Sequence, residues 1–167
     1  GHVIEPDPAK TVPIGFRLAG IHCGIKSNPE KEDLGLILLD RPGVAAGVYT
    51  QNKFAAAPVV LDRNRTPSNS IRAVVINSGN ANACTGDRGI ADAERMCLEV
   101  ASTCEIDPGE VLVLSTGVIG QFLPIDAIAA GIARTATNLA DDANAIASVA
   151  RAMLTTDTKT KTVERHW

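Results

Sequence analysis

The sequence has 167 residues, 45% apolar and 21% charged, enough for one domain with a real core and too ordered in composition for wholesale disorder. Aromatic residues are only 3%, so that core must be built from Val, Ile, Leu and Ala. The net charge of −3 argues against a nucleic-acid binder, and no apolar run approaches the ~20 residues of a membrane span; without a signal-peptide core either, a soluble, cytoplasmic chain is expected.

Residues 1–13 are polar and proline-spaced, which predicts an irregular lead-in, with Gly1-His2 reading as an expression remnant. Residues 27–33 form a charged loop whose carboxylates, Glu30, Glu32 and Asp33, read as solvated surface. Two apolar runs follow, 34–39 and 44–50, joined by Asp40-Arg41-Pro42-Gly43. Pro then Gly at the central positions suits a type II turn, so a hairpin is expected. A further strand is expected at 58–61, a strong one at 71–77 (I-R-A-V-V-I-N), and a short buried one at 111–115 (V-L-V-L-S).

Helical spacing governs the rest. Ala93, Met96, Cys97, Val100, Ala101 and Cys104 repeat at three-four intervals and predict an amphipathic helix over 89–104. Pro124 opens a second helix with Ile125, Ile128, Ile132, Ala136 and Leu139 on one stripe. Asp141 or Asp142 caps a third, with Ala143, Ile146, Ala147, Ala150, Met153 and Leu154 expected inward. A strand-rich first half followed by strand, helix, strand, helix, helix predicts an α/β domain layered from a mixed sheet and helices, over 14–155. The polar tail 156–167 ends without an element, as if cut.

Known catalytic sets are missing. No C-x-x-C occurs among the four cysteines, and with three histidines no zinc spacing exists. Thiols rather than disulfides are expected, with Cys84 small and buried. There is no G-x-S-x-G elbow, no phosphate-binding loop and no dinucleotide fingerprint. His22 reads as structural. Three segments could carry chemistry. The loop 77–86 holds three asparagines, two glycines and no charge; it suits turn-building and ligand-binding equally. Thr116-Gly117, after the 111–115 strand, offers either a plain turn or a hydroxyl and a bare N–H for one oxygen. Met153-Leu154-Thr155-Thr156-Asp157-Thr158 could simply satisfy a helix end, or contact a substrate from it.

In order, I-N-S-G-N-A-N-A-C-T-G (76–86), V-L-V-L-S-T-G-V-I-G (111–120) and M-L-T-T-D-T (153–158) resemble the ornithine acetyltransferase family, also called glutamate N-acetyltransferase. G-F-R-L-A-G-I (15–21), G-I-K (24–26) and A-G-V-Y-T-Q-N-K-F-A-A-A-P-V (46–59) extend the likeness over nearly the whole chain. The resemblance implies the layered fold shared with threonine-nucleophile aminopeptidases. It implies a precursor that cleaves itself before a threonine, which then becomes the nucleophile of a β chain. Its α-amino group serves as base. The acetyl group passes from N-acetylornithine to that threonine and then to glutamate, as part of arginine biosynthesis. No metal or cofactor is implied, although some members accept acetyl-CoA as co-substrate, and an α2β2 assembly is the family's habit.

Matched residue by residue, Thr116 and Gly117 take the oxyanion-hole positions and Thr155 a substrate-contacting one. The loop 77–86 is expected to line or support the same site. No nucleophile is expected in this chain, because the sequence stops before any lysine-glycine motif and cleavage threonine. An α chain, or a piece of one, is therefore implied. An isolated, non-catalytic α-type binding or scaffold domain is the alternative, as is a paralogue in secondary metabolism or a related threonine-nucleophile aminopeptidase.

Overall fold

The computed structural model describes residues 12–157, 159–161 and 163. Most of the expected lead-in (1–11), together with Thr158, Thr162 and 164–167 of the tail, lies outside the described residues. Strands β1 (Phe16–Ile21), β2 (Leu34–Ala45), β3 (Ser68–Asn80) and β4 (Val111–Val118) form one sheet in the order β1-β2-β3-β4. The first three are antiparallel, while β3 and β4 run parallel across the connection that carries a long helix. The helices are α1 (Ala57–Arg65), α2 (Gly86–Cys104), α3 (Ile125–Thr137) and α4 (Ala143–Ala152). This is the α/β architecture expected, a mixed sheet layered with helices.

Helices α2 and α3 cover one face. Leu34, Leu36 and Leu38 of β2, Ala73 and Val75 of β3, and Val111 and Val113 of β4 point into it. They meet Ala93, Met96, Cys97 and Val100 of α2 and Ile128 and Ile132 of α3, all buried as their spacing predicts. The opposite face carries α4. There Gly20 and Gly35 lie side by side in the β1–β2 register, and a Cβ on Gly20 would sit on the carbonyl of Ser148, 2.9 Å from the nitrogen of Val149. Such close approach needs small residues on the helix too. The buried positions of α4 are accordingly Ala145, Val149 and Ala152, not the Ile146–Leu154 stripe that hydropathy favours. Asp142 caps this helix, accepting from the N–H of Ala145 at 2.8 Å.

Several local expectations are corrected. The hairpin at 40–43 does not form; β2 runs on through Asp-Arg-Pro-Gly as one strand with a bulge, its register on β3 jumping between Leu38 and Gly43. Pro42 has no N–H to lose there, and the flanks are held independently: the N–H of Asp40 donates to Gly15 and the Arg72 guanidinium to the carbonyl of Leu39. Residues 58–61 belong to α1, with Pro58 in its first turn. Its buried set, Ala57, Pro58, Leu61 and Asp62, is helical in spacing. The strands β3 and β4 each extend three residues beyond their apolar runs. The expected 77–86 loop and the turn at Thr116-Gly117 are thus partly strand.

Helix α1 also covers the lower part of the outer edge of β4. The buried carboxylate of Asp62 accepts the N–H of Val113 at 3.0 Å, and the Arg65 guanidinium donates to the carbonyl of Val111 and, at 3.1 Å, to the Cys97 sulfur. Burial pushes the Asp62 carboxyl up to about 6, against the opposing pull of the Val113 N–H and of Arg65. The folded state therefore holds this proton more tightly than the unfolded chain. The stability it contributes is complete below the unfolded carboxylate value and is lost as pH rises through about 6. Asp62→Asn keeps an acceptor for Val113 without the buried charge. It is expected to raise stability at pH 7.5 by roughly 1–2 kcal/mol and to flatten the denaturation midpoint between pH 4 and 7, read by urea titration.

Candidate active site at the ends of β3 and β4

The parallel register sets Asn77 beside Ser115, Ser78 beside Thr116 and Gly79 beside Gly117, so two of the three segments singled out in the sequence share one ladder. Gly117 has φ +136°, and a Cβ there would lie 2.5 Å from the nitrogen of Asn80 and 2.7 Å from the Gly79 oxygen. Only glycine allows the two backbones this approach. On the outer edge, the N–H of Val113 leaves the sheet for Asp62. Counting in twos along the strand, the N–H of Gly117 points to that same side, where no further strand lies among the described residues. Thr116 and Gly117 are both exposed on this chain.

The asparagines answer the question that the sequence left open: they build the loop. Asn77, Asn80 and Asn82 are buried. The Asn77 amide donates to the Asn80 carbonyl at 2.9 Å while its oxygen lies in hydrogen-bond contact with the Ser115 hydroxyl. The Asn80 amide donates to the carbonyls of Gln121 and Phe122, and its oxygen accepts from the N–H of Asn82 at 2.8 Å. Asn82 in turn donates to Gly89 and accepts from the Thr85 hydroxyl, each at 2.8 Å. These bonds lock the turn between β3 and α2 to the segment after β4. The side chains are spent on support.

The third segment arrives from the far side of the sheet. The Ser78 hydroxyl donates to the carbonyl of Ala152, and the Lys26 ammonium donates to the carbonyl of Leu154 at 2.7 Å, next to the exposed Thr155. Arg151 and Glu32 add an ion pair at 2.6 Å. Thus all three segments converge where the parallel strands end.

Asp33, expected on a solvated loop, is instead fully buried. Its carboxylate accepts from the N–H groups of Cys23, Gly24, Ile25 and Lys26, and the His22 ring nitrogen lies 3.1 Å away. His22 also reaches the carbonyl of Lys31 at 3.0 Å, in keeping with a structural role. Sequence reasoning missed Asp33, Lys26 and Ser78. The available signal was an aspartate directly preceding an apolar strand, ten residues after a Cys-Gly turn.

A concavity of about 240 Å³ lies between the 53–57 segment and the start of α2, lined by Lys53, Phe54, Cys84, Thr85 and Ile90 among others, and by none of Thr116, Gly117 and Thr155. Cys84 is exposed there, correcting the buried position expected; its φ of +56° turns it out of the asparagine network. All four cysteines are free thiols. Burial pushes the Cys23 thiol up to about 12, with Asp33 adding to the effect, and burial also raises Cys97 and Cys104. A thiol-exchange reagent at pH 8 is therefore expected to modify Cys84 fast, the half-buried Cys104 more slowly, and Cys23 and Cys97 only on unfolding, as read by mass spectrometry of the labelled protein. Among the described residues no three His, Cys, Asp or Glu side chains converge on a metal position, and no helix is long and apolar enough to cross a membrane.

A model of the ArgJ family matches residues 17–167. The chain is 47% identical over 159 residues to the arginine biosynthesis bifunctional protein ArgJ of Rhodopirellula baltica, spanning 95% of this chain and 38% of that protein. It is 49% identical over 144 residues to its counterpart in Geobacter sulfurreducens, spanning 86% and 36%. Among solved structures, ArgJ of Bacillus halodurans superposes with a TM-score of 0.79 at 41% identity, over 87% of this chain and 75% of that one. Ornithine acetyltransferase of Mycobacterium tuberculosis, complexed with ornithine, superposes with a TM-score of 0.84 at 39% identity, over 88% and 79%. The chain therefore spans less than two-fifths of these curated relatives but at least three-quarters of each solved chain.

Proposed function

This chain belongs to the ArgJ family, and from that premise we propose that it is the α part of a two-chain acetyltransferase of arginine biosynthesis. In this reading the terminal threonine of a β chain attacks the acetyl carbonyl of N-acetylornithine, its hydroxyl proton passing to its own α-amino group. The oxyanion that forms lies between the Thr116 hydroxyl and the Gly117 N–H, both donating to it. The bond to ornithine then breaks and the amine leaves with the proton; the amine of glutamate next attacks the acyl-threonine, the bond to the threonine oxygen breaks, and the glutamate amine's proton returns to that oxygen by way of the α-amino group. Thr155 contacts the substrate from the end of α4. No cofactor or metal takes part, and acetyl-CoA serves as a second acetyl donor, in line with relatives named bifunctional.

The observation that carries this reading is the link of Thr116-Gly117 to the end of α4 through Ser78, on a strand beside whose outer edge no further strand lies among the described residues. A second observation supports the division into two chains. Solved chains of the family are about half as long as its curated sequences, which fits a precursor cut near its middle. An α2β2 assembly in the cytoplasm completes the proposal.

The test is acetyl transfer by the complete gene product, with N-acetylornithine and glutamate, with and without acetyl-CoA. Two polypeptides by intact mass, one of them beginning with threonine, and activity only when both are present are the expected results. Turnover by the 167-residue chain alone would refute the division of labour. A single inactive species would favour the non-catalytic alternative.

A further inference from the structure

We propose that Lys26 is a positioning residue for substrate binding: held by the buried carboxylate of Asp33, it fixes the end of α4 so that Thr155 meets the substrate. This rests on the reading of Thr155 given above. Asp33 is a junction of the sheet. Its N–H donates to Ile21 of β1 and its carbonyl accepts from the N–H of Ser78 of β3, both at 2.9 Å. Its carboxylate gathers four successive N–H groups, from Cys23 to Lys26, at 2.7–3.3 Å. A carboxylate so saturated fixes the turn as a rigid platform.

The platform delivers Lys26. Its stem runs past Gly79, where an added Cβ would lie 3.2 Å from Cγ, next to the backbone that Gly79 shares with Gly117. Its ammonium donates to two carbonyls, Glu32 and Leu154, each at 2.7 Å. Burial lowers the affinity of this amine for its proton, with Lys31 adding to the effect and Asp33 and Glu32 opposing it. A half-buried ammonium bonded to main-chain carbonyls gains a place for the chain it grips. Here the gripped residue directly precedes Thr155, and Ser78, which hydrogen-bonds Asp33 through its N–H, holds Ala152 through its hydroxyl. The turn, β3 and the helix end form one connected unit.

In the complete two-chain protein, Lys26→Met keeps the stem and removes the donors. Loss of charged hydrogen bonds of this kind is expected to raise KM for N-acetylornithine about tenfold while kcat stays within about twofold. Thr155→Ala should raise KM comparably, and the double variant should be no worse than Thr155→Ala alone, because both act through one contact. Lys26→Arg, which keeps charge and donors, should restore most of the affinity even if Lys26→Met folds poorly. Unchanged KM in Thr155→Ala overturns the role of Thr155 and this proposal with it. A KM effect in Thr155→Ala without one in Lys26→Met, additive effects in the double variant, or a loss in Lys26→Arg as large as in Lys26→Met overturns the proposal alone.

Discussion

On the proposed two-chain reading, Thr116→Ala in the complete gene product is expected to lower kcat by about 10²–10³, with KM for N-acetylornithine changed by less than about threefold. In the proposed reaction the oxygen facing Thr116 would carry full negative charge only after the acyl carbon has been attacked, so a hydrogen bond to it would matter most at the transition state. The substitution should cost little in stability. Thr116 is exposed, and on the β3 side it is the main-chain ladder opposite Ser78 and Asn80 that holds the strand. Thermal unfolding within about 2 °C of the parent is thus expected, and steady-state kinetics separate the two quantities. Undiminished kcat would remove Thr116 from the chemistry.

Gly117→Ala is expected to do more damage, and of a different kind. The added methyl meets main-chain atoms of Gly79 and Asn80, which have no rotamer to give, and φ +136° disfavours any L side chain. Overpacking of about 1–3 kcal/mol together with a positive-φ penalty of roughly 1–2 kcal/mol predicts a loss near 3 kcal/mol or more. For a domain of this size that is a fall in Tm of roughly 6–12 °C. Gly120→Ala is the control: it shares a positive φ, +82°, but a Cβ there meets nothing within 4 Å. It should lose only the backbone part. Equal falls in Tm for the two variants would show that the approach to β3 costs nothing.

The apolar periodicity of α2 and α3 carried those helices into the structure almost unchanged, because each buries one clear face in a single core. It failed where the environment is not apolar. Residues 58–61 contain Val59, Val60 and Leu61 and read as a strand, yet the face that decides their fate includes Asp62, whose acceptor role toward β4 no hydropathy pattern records. The inward face of α4 was misjudged for a related reason. Against the paired Gly20 and Gly35 lie Ser148, Val149 and Ala152, and Ile146 is left partly exposed.

At the candidate site, Thr116, Gly117 and Thr155 were singled out through family resemblance, and the structure links Thr116 to the end of α4 by way of Ser78, its neighbour in the ladder. Lys26, Asp33 and Ser78 were not legible as a unit. Their bonds join positions up to 128 residues apart, and a buried carboxylate inside a charged stretch looks like any other surface aspartate.

Those long separations also set an order of events in time. Gly20 is tied to Ser148 and Lys26 to Leu154 across 128 residues each, and Ser78 to Ala152 across 74. At the usual pace of translation, β1 and the Asp33 turn emerge roughly 6–25 s before the helix that covers them. During that interval the nascent chain can pair β1, β2 and β3, while Gly20, Lys26 and Ser78 still wait for the partners that α4 and its end will bring.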